Sequence, residues 1–187
     1  FGLTSDRVAI LPYPPPEIDA AHSSRCAARV RERYPLPDRF LFYPAQFWPH
    51  KNHLGLIEAL GLLRKRHGLA IPLVLTGSAS GTVREQHVVH LRERAQELGV
   101  SDQISFLGYV SDEDLLGLYA CAEALVMPTF FGPTNIPVLE AWALDCPVIT
   151  SNIPGNDEQL GNAGILIDPR DFEDIAEGIR RLWMQPA

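Results

Sequence analysis

The chain has 187 residues, of which 46% are hydrophobic and 21% are charged, and its formal net charge is −7. This composition is typical of a globular protein with a full core, and the length suits one large domain or a domain with a flanking arm. A surface that binds duplex nucleic acid needs clustered Lys and Arg, so the acidic excess argues against a nucleic-acid partner.

The cysteines and the hydropathy pattern indicate a compartment. Cys26, Cys121 and Cys146 are odd in number and show no metal-ligand spacing, which favours a reduced, cytoplasmic setting without a bound metal. A peripheral position at the inner membrane face stays open. No apolar run approaches the ~20 residues that span a bilayer, so we expect no transmembrane segment. The chain begins at Phe1 without a Met, which suggests a fragment of a longer protein.

The first 39 residues differ from the rest. Residues 8–11 could form one strand, and the four prolines between positions 12 and 16 force an extended segment after it. Residues 20–34 are predicted to be helical, and Pro35 and Pro37 end that helix. We interpret residues 1–39 as an interdomain arm.

Residues 40–187 alternate between strand and helix patterns. The predicted strands are residues 40–43, 71–76, 104–110, 124–128, 148–151 and 165–167. The predicted helices are residues 52–67, 83–98, 111–120, a short one around Glu140, and 171–184. Such alternation predicts an α/β, Rossmann-like domain with a parallel sheet of about six strands and helices on both faces. Ligands of such sheets bind beyond the carboxyl ends of the strands, near the point where strand order reverses.

A lysine follows the first predicted strand, in the segment QFWPHKNH that leads into a helix. A cation near a helix N-terminus is unfavourable by ~0.3–1 kcal/mol, and a bound anion between Lys51 and the helix would reverse this effect. The alternative is a solvated surface lysine beside an apolar interdomain patch at Trp48. His50 and His53 lack a third ligand at helical spacing, so no zinc site is expected.

The segment FGPTNIPVLEAWALDCPVITS, residues 131–151, places a loop before a short apolar helix. Free backbone N–H groups at a helix N-terminus bind phosphate, which predicts an anion site in the loop 132–136. Gly132 permits a positive φ, and Thr134 and Asn135 can cap the helix. A plain β-turn with a capping residue is the alternative.

Glu140 is the only charged residue in that apolar helix, and we expect it in the first turn. A buried carboxylate requires hydrogen-bond donors, and the two adjacent hydroxyls of a ribose would supply them. The alternative is a solvent-exposed carboxylate that the helix dipole stabilises.

Two further signals are weaker. The segment TGSASG, residues 76–81, has neither the GxGxxG spacing of dinucleotide folds nor the GK[ST] of a P-loop. Tyr109 and Val110 end the third predicted strand, where exposed backbone could pair with the edge of a nucleotide base. A simple exit turn is equally compatible with that segment.

Five segments in order resemble the donor-binding C-terminal domain of GT-B-fold retaining glycosyltransferases, the large group that includes glycogen synthase and sucrose synthase. They are FYPAQFWPHKNHLGLIEAL, LVLTGSASG, ISFLGYVSDEDLLGLYACAEALVMPT, GPTNIPVLEAWALDCPVITS and GNAGILIDPRD, and the resemblance extends over about residues 40–185. The resemblance implies an enzyme that moves a hexosyl group from a nucleotide-sugar to an acceptor with retention of configuration. It also implies no cofactor beyond the donor, an N-terminal acceptor domain absent from this chain, and an acceptor glycan or lipid-linked sugar.

The resemblance also implies residue roles. Lys51 would bind the donor diphosphate and Glu140 the ribose, which makes these two the predicted catalytic residues. The predicted substrate-binding residues are Gln46, Gly132, Pro133, Thr134, Asn135, Ile136, Tyr109 and Val110. Two positions depart from the family pattern: Gly132 stands where a glutamate is usual, and Gln46 stands where an arginine is usual. A nucleotide-sugar 2-epimerase with the same architecture and a non-catalytic nucleotide-sugar-binding module remain as alternatives.

Overall fold

The structure is a computed structural model that describes Arg7 and residues 13–132 and 136–185. The predicted strand at residues 8–11 and the loop residues Pro133, Thr134 and Asn135 therefore lie outside the described residues. The helices are α1 (Ala20–Arg33), α2 (His53–His67), α3 (Thr82–Glu97), α4 (Asp112–Cys121), α5 (Ile136–Trp142), α6 (Asn156–Leu160) and α7 (Phe172–Met184). The strands are β1 (Leu41–Pro44), β2 (Leu73–Thr76), β3 (Ile104–Gly108), β4 (Ala124–Met127), β5 (Val148–Ser151) and β6 (Ile165–Ile167).

The six strands form one parallel sheet in the order β3-β2-β1-β4-β5-β6. Leu41 of β1 lies opposite Leu73 of β2 on one side and Ala124 of β4 on the other. The strand order reverses between β1 and β4, which makes their carboxyl ends the switch point of the sheet. The predicted Rossmann-like α/β fold is confirmed.

Helices cover both faces of the sheet, as predicted. One layer contains α2, α3 and α7, and the other contains α1, α4 and α5. Successive residues of β1 point to opposite layers, since side chains alternate along a strand. The Phe42 ring meets Tyr119 of α4 edge-on at 5.0 Å, whereas the Tyr43 ring lies 4.9 Å from His53 of α2. Double coverage explains why the central strands are continuous apolar runs.

Several element ends differ from the predicted ones by one or two residues, and three corrections bear on predicted site residues. Strand β3 ends at Gly108, whose φ of 73° breaks the extended conformation, so Tyr109 and Val110 lie in the following turn. Ile136 is the first residue of α5 instead of part of the loop. Glu140 accordingly lies in the second turn of α5, so the favourable first-turn position is wrong for this carboxylate.

Helix α1 packs along α4 at short range. A Cβ added to Gly117 of α4 would lie 2.3 Å from the carbonyl oxygen of Cys26, so only glycine permits this approach. The buried Asp114 carboxylate of α4 accepts hydrogen bonds from Arg33 at 2.8 Å and from Tyr34 at 2.9 Å. Residues 20–34 therefore belong to the packed body, and an interdomain role for the arm stays a prediction.

Among the helices described above, none combines the length and the apolar composition that crossing a bilayer requires.

Candidate functional site

A pocket of about 430 Å³ opens at the switch point of the sheet. Its walls come from the carboxyl ends of β1 and β4, the segment after β1, and the residues flanking the start of α5. The lining residues are Tyr43, Pro44, Ala45, Gln46, Trp48, His50, Lys51, Met127, Gly132 and Pro137. This is the place where a doubly wound sheet binds its ligand.

Lys51 brings a cation into the pocket. It ends a short 3₁₀ helix, Pro49–Lys51, and its backbone carbonyl accepts a hydrogen bond of 3.0 Å from the Tyr43 hydroxyl. The side chain is half-buried, and burial lowers the pKa of the Lys51 ammonium. Loss of water around a charge makes an anionic partner more favourable. The position of Lys51 before the N-terminus of α2 agrees with the prediction.

Asn52 holds the segment that carries Lys51. Its backbone has a φ of 56°, in the left-handed region that asparagine tolerates better than most residues. Its side-chain oxygen accepts from the Gly55 N–H at 3.1 Å and so caps α2. Its side-chain nitrogen donates to the carbonyls of Pro128 at 2.9 Å and Pro169 at 2.8 Å. One buried amide thus joins the loops that follow β1, β4 and β6.

His50 ties the same segment to the loop after β4. The Phe130 N–H donates to the His50 carbonyl at 2.9 Å. The imidazole of His50 lines the pocket next to Lys51. Burial, and then the positive charge of Lys51, lower the pKa of His50 below its ordinary value of 6.5.

Gln46 lines the pocket and is held by two neighbours. Its side-chain oxygen accepts from Arg84 Nη1 at 2.7 Å and from Trp48 Nε1 at 3.1 Å. The Arg84 guanidinium also lies over the Trp48 ring, 4.9 Å from its centroid. Arg84 belongs to α3, and the sequence did not single it out because it lies far along the chain from Gln46.

The loop after β2 requires glycine at position 77. Its φ is 142°, and a Cβ added there would lie 2.2 Å from the carbonyl oxygen of Ala45. The loops after β1 and β2 therefore pass in direct backbone contact. Gly77 of the TGSASG segment permits this close approach. The helix that follows the segment, α3, thereby lies near Gln46.

Glu140 has a protein partner. Its half-buried carboxylate accepts a hydrogen bond of 2.9 Å from the hydroxyl of Tyr119 on α4. Burial, and then the Glu140 charge, raise the pKa of Tyr119 well above its ordinary value, so the phenol stays a donor. Glu140 is not among the residues that line the pocket, but Pro137, one turn earlier on α5, is.

The predicted site residues that the structure describes therefore divide into those that line the pocket and those that do not. Gln46, Lys51 and Gly132 line one pocket, as their places at the carboxyl edge predicted. Tyr109 and Ile136 are exposed, and neither they nor Val110 line it. Sequence reasoning missed Tyr119 as the partner of Glu140, because a tyrosine in an apolar helical pattern is indistinguishable from an ordinary core residue. Asn52 could have been recognised, because asparagine is a preferred capping residue and stands directly before α2.

Known proteins resemble this chain over most of its length. O-antigen chain mannosyltransferase B of Escherichia coli is 35% identical over 151 residues, which are 80% of this chain and 38% of that protein. Sucrose-phosphate synthase from Thermosynechococcus elongatus superposes with a TM-score of 0.70 at 26% identity, over 85% of this chain and 40% of that one. Anabaena Alr3699/HepE, solved in complex with UDP and glucose, superposes with a TM-score of 0.73 at 20% identity, over 90% of this chain and 44% of that one.

The chain thus spans less than half the length of these relatives. The sequence model of the family described as "Glycosyl transferases group 1" matches residues 26–186. Because this match covers most of the chain, the chain belongs to the glycosyl transferases group 1 family.

Proposed function

We propose that this chain is the donor-binding part of a glycosyltransferase that moves a hexosyl group from a nucleotide-sugar to an acceptor with retention of configuration. The observation that carries the proposal is the half-buried Lys51 in the pocket at the switch point of the sheet. A cation that has lost part of its water shell, at the edge where such sheets bind ligands, suits a diphosphate.

The comparisons favour transfer over the epimerase alternative. The E. coli relative is described as a mannosyltransferase, as is RfbU of Salmonella typhimurium, which is 30% identical over 139 residues. One structural neighbour was solved with UDP and glucose and another with UDP-2-fluoro glucose. For this chain we propose a nucleotide-sugar donor, with the sugar specified only as a hexose.

Lys51 would act on the leaving group. Departure of the nucleoside diphosphate concentrates negative charge on the phosphate nearest the sugar, and a fixed cation stabilises this charge more in the transition state than before it. Gly132 also lines the pocket, and because it carries no side chain it leaves space for the sugar and its phosphate. The pocket therefore supports donor binding and leaving-group stabilisation.

Glu140 would hold the nucleoside. A carboxylate offers about four acceptor positions, and Tyr119 occupies one of them. The remaining positions can accept both hydroxyls of a ribose. Tyr119 would hold the carboxylate in the orientation that this contact needs.

The remaining parts of the enzyme are also proposals. We propose that an N-terminal domain of the same protein binds the acceptor, a glycan or a lipid-linked sugar, as in polysaccharide biosynthesis. The protein would work in the cytoplasm or at the inner membrane face. Donor binding would need no metal ion, since Lys51 and Arg84, which contacts Gln46 of the same pocket, provide positive charge. Excess EDTA should therefore leave donor affinity unchanged.

The test is calorimetric titration of UDP and GDP, and of uridine and guanosine, into the protein. Lys51→Ala should weaken the binding of the preferred diphosphate about tenfold or more and leave nucleoside affinity nearly unchanged. Glu140→Gln should show the reverse pattern. Lys65, the only other lysine in the chain, is exposed on α2, and Lys65→Ala is the matched control. Equal diphosphate affinities of Lys51→Ala and Lys65→Ala would refute the assignment.

Transfer itself is tested on the full-length protein with radiolabelled nucleotide-sugars. Release or transfer of sugar, with the anomeric configuration of the product read by NMR, is the expected result. Tight donor binding with no turnover towards any acceptor or water would instead indicate a non-catalytic binding module.

A further inference from the structure

The orientation of the Gln46 amide is determined by its two neighbours. One side-chain atom of Gln46 lies 2.7 Å from Arg84 Nη1 and 3.1 Å from Trp48 Nε1. A guanidinium and an indole N–H can only donate hydrogen bonds, so the atom that faces both must be the amide oxygen. The amide nitrogen, with its two N–H donors, is left for another partner at the wall of the pocket.

Arg84 is a cation without a neutralising carboxylate among the described residues. The ion pairs found there involve other arginines, among them Arg94 with Glu58 and Arg64 with Asp102. Arg84 lies in the first turn of α3, where the helix dipole disfavours positive charge. Its contacts are the Gln46 oxygen and the Trp48 ring, and both of these residues line the pocket. An anion in the pocket would compensate this charge.

We propose that Arg84 is a positioning residue for the donor diphosphate and acts through Gln46. Together with Trp48 it holds the amide oxygen away from the phosphate and presents the amide N–H groups to it. Its charge polarises the amide, so the hydrogen bond from Gln46 to phosphate gains part of the strength of a charge-assisted bond. The inference rests on the proposed function and adds that α3 supplies the positive charge that Gln46 itself lacks.

Three substitutions separate orientation from charge. Arg84→Gln removes the charge, Arg84→Lys keeps a point charge without the planar fork, and Gln46→Glu keeps both accepted hydrogen bonds but replaces the amide N–H groups by oxygen. Arg92 also lies on α3, with its guanidinium 4.2 Å from the Phe106 ring centroid, and does not line the pocket. Arg92→Gln is therefore the matched control.

UDP and GDP are titrated beside uridine and guanosine into the full protein and each variant. Arg84→Gln should weaken the preferred diphosphate about tenfold, with nucleoside affinity within about twofold of the unsubstituted protein. Gln46→Glu should lose at least as much diphosphate affinity as Arg84→Gln. The diphosphate affinity of Arg84→Lys should lie between those of Arg84→Gln and the unsubstituted protein, and Arg92→Gln should bind like the unsubstituted protein. A double variant that combines Gln46→Arg with Arg84→Gln moves the guanidinium from position 84 to position 46. It should recover most of the diphosphate affinity that Arg84→Gln loses.

The outcomes distinguish a failure of this inference from a failure of the proposed function. If the unsubstituted protein binds a diphosphate and Arg84→Gln binds it equally well, the inference is wrong while the proposed function stands. An equal loss of diphosphate and nucleoside affinity in Arg84→Gln would show a merely structural role and would also overturn the inference. If no nucleoside diphosphate binds the unsubstituted protein, the proposed function is wrong, and this inference falls with it.

Discussion

The hydroxyl of Tyr119 donates a hydrogen bond of 2.9 Å to the carboxylate of Glu140 and so joins α4 to α5. Tyr119 is almost completely buried and packs against Phe42 of the central strand β1. The helix that carries Glu140 is thereby anchored to the middle of the domain.

Tyr119→Phe removes this donor and keeps the ring. We expect the free energy of unfolding to fall by about 1–2 kcal/mol, since a hydrogen bond to a charged group is lost from a buried position. Nucleoside affinity should fall as well, because the Glu140 carboxylate is no longer held. Tyr34 donates a bond of 2.9 Å to Asp114 on the other side of α4, so Tyr34→Phe is the matched control. It should lower stability and leave nucleoside affinity unchanged; a loss of affinity in both variants would contradict a specific role for Tyr119.

Asn52→Ala should be among the most destabilising single changes. It removes the cap of α2, leaves the carbonyls of Pro128 and Pro169 without their buried donor, and puts alanine at a positive φ. Together these effects should lower the free energy of unfolding by ~3–5 kcal/mol. Asn52→Gly loses the same hydrogen bonds without the backbone strain, so it should be about 1 kcal/mol more stable than Asn52→Ala. Urea denaturation of both variants measures the difference, and equal stabilities would show that the backbone is not strained.

Gly77→Ala should separate the loops that follow β1 and β2. The new methyl group would lie 2.2 Å from the Ala45 carbonyl oxygen, so the backbone must move. We expect a loss of at least ~2 kcal/mol in the free energy of unfolding and weaker binding of nucleoside diphosphate. Gly99 also has a positive φ, of 67°, but open space around it, so Gly99→Ala isolates the cost of the conformation. Similar losses in both variants, measured by thermal unfolding, would argue against the close approach.

His53 predicts a pH-dependent stability. Its ring is buried between Tyr43 and Phe47, and burial and then the neighbouring His87 lower its pKa from 6.5 to about 3. Between these two values the unfolded chain takes up a proton that the folded protein does not. The free energy of unfolding should therefore decrease as pH falls below 6.5, by up to about 1.4 kcal/mol per pH unit.

His53→Phe removes this titrating group and fills the same space with an apolar ring. Its stability should depend less on pH, and its advantage over the unsubstituted protein should grow from pH 7 to pH 5. His90, which is exposed on α3, offers the control His90→Phe. Guanidinium denaturation across the pH range gives the slopes. Parallel slopes for the unsubstituted protein and His53→Phe would show that His53 is not the group responsible.

The fold was predictable from the sequence because it depends on local patterns. The strands correspond to short apolar runs, such as residues 40–43 for β1, and the helices repeat apolar residues on one face. The order of these patterns along the chain implies a parallel sheet. The end of β3 was wrong because the pattern through Val110 remains apolar, and only the backbone shows that Gly108 turns the chain. The short helix α6 was missed, since five residues are too few for a periodicity to emerge.

The site was predictable only where its residues follow strand ends. Lys51 and Gln46 come directly after β1, and topology alone brings them to the edge of the sheet. Arg84 and Tyr119 reach the site through contacts between distant parts of the chain, 38 and 21 positions from Gln46 and Glu140. No periodicity or motif encodes such a pairing, so these residues became visible only with the packed structure.

The close packing of α1 against α4, where the Cys26 carbonyl contacts Gly117, matters for the choice of fragments of this protein. A shortened chain that starts at Phe40, where the alternating pattern begins, would strip away the cover of α4 and expose the Asp114 carboxylate without Arg33 and Tyr34. Such a fragment should aggregate or fold poorly. A fragment that begins before Asp19, the residue that caps α1, should fold without aggregating.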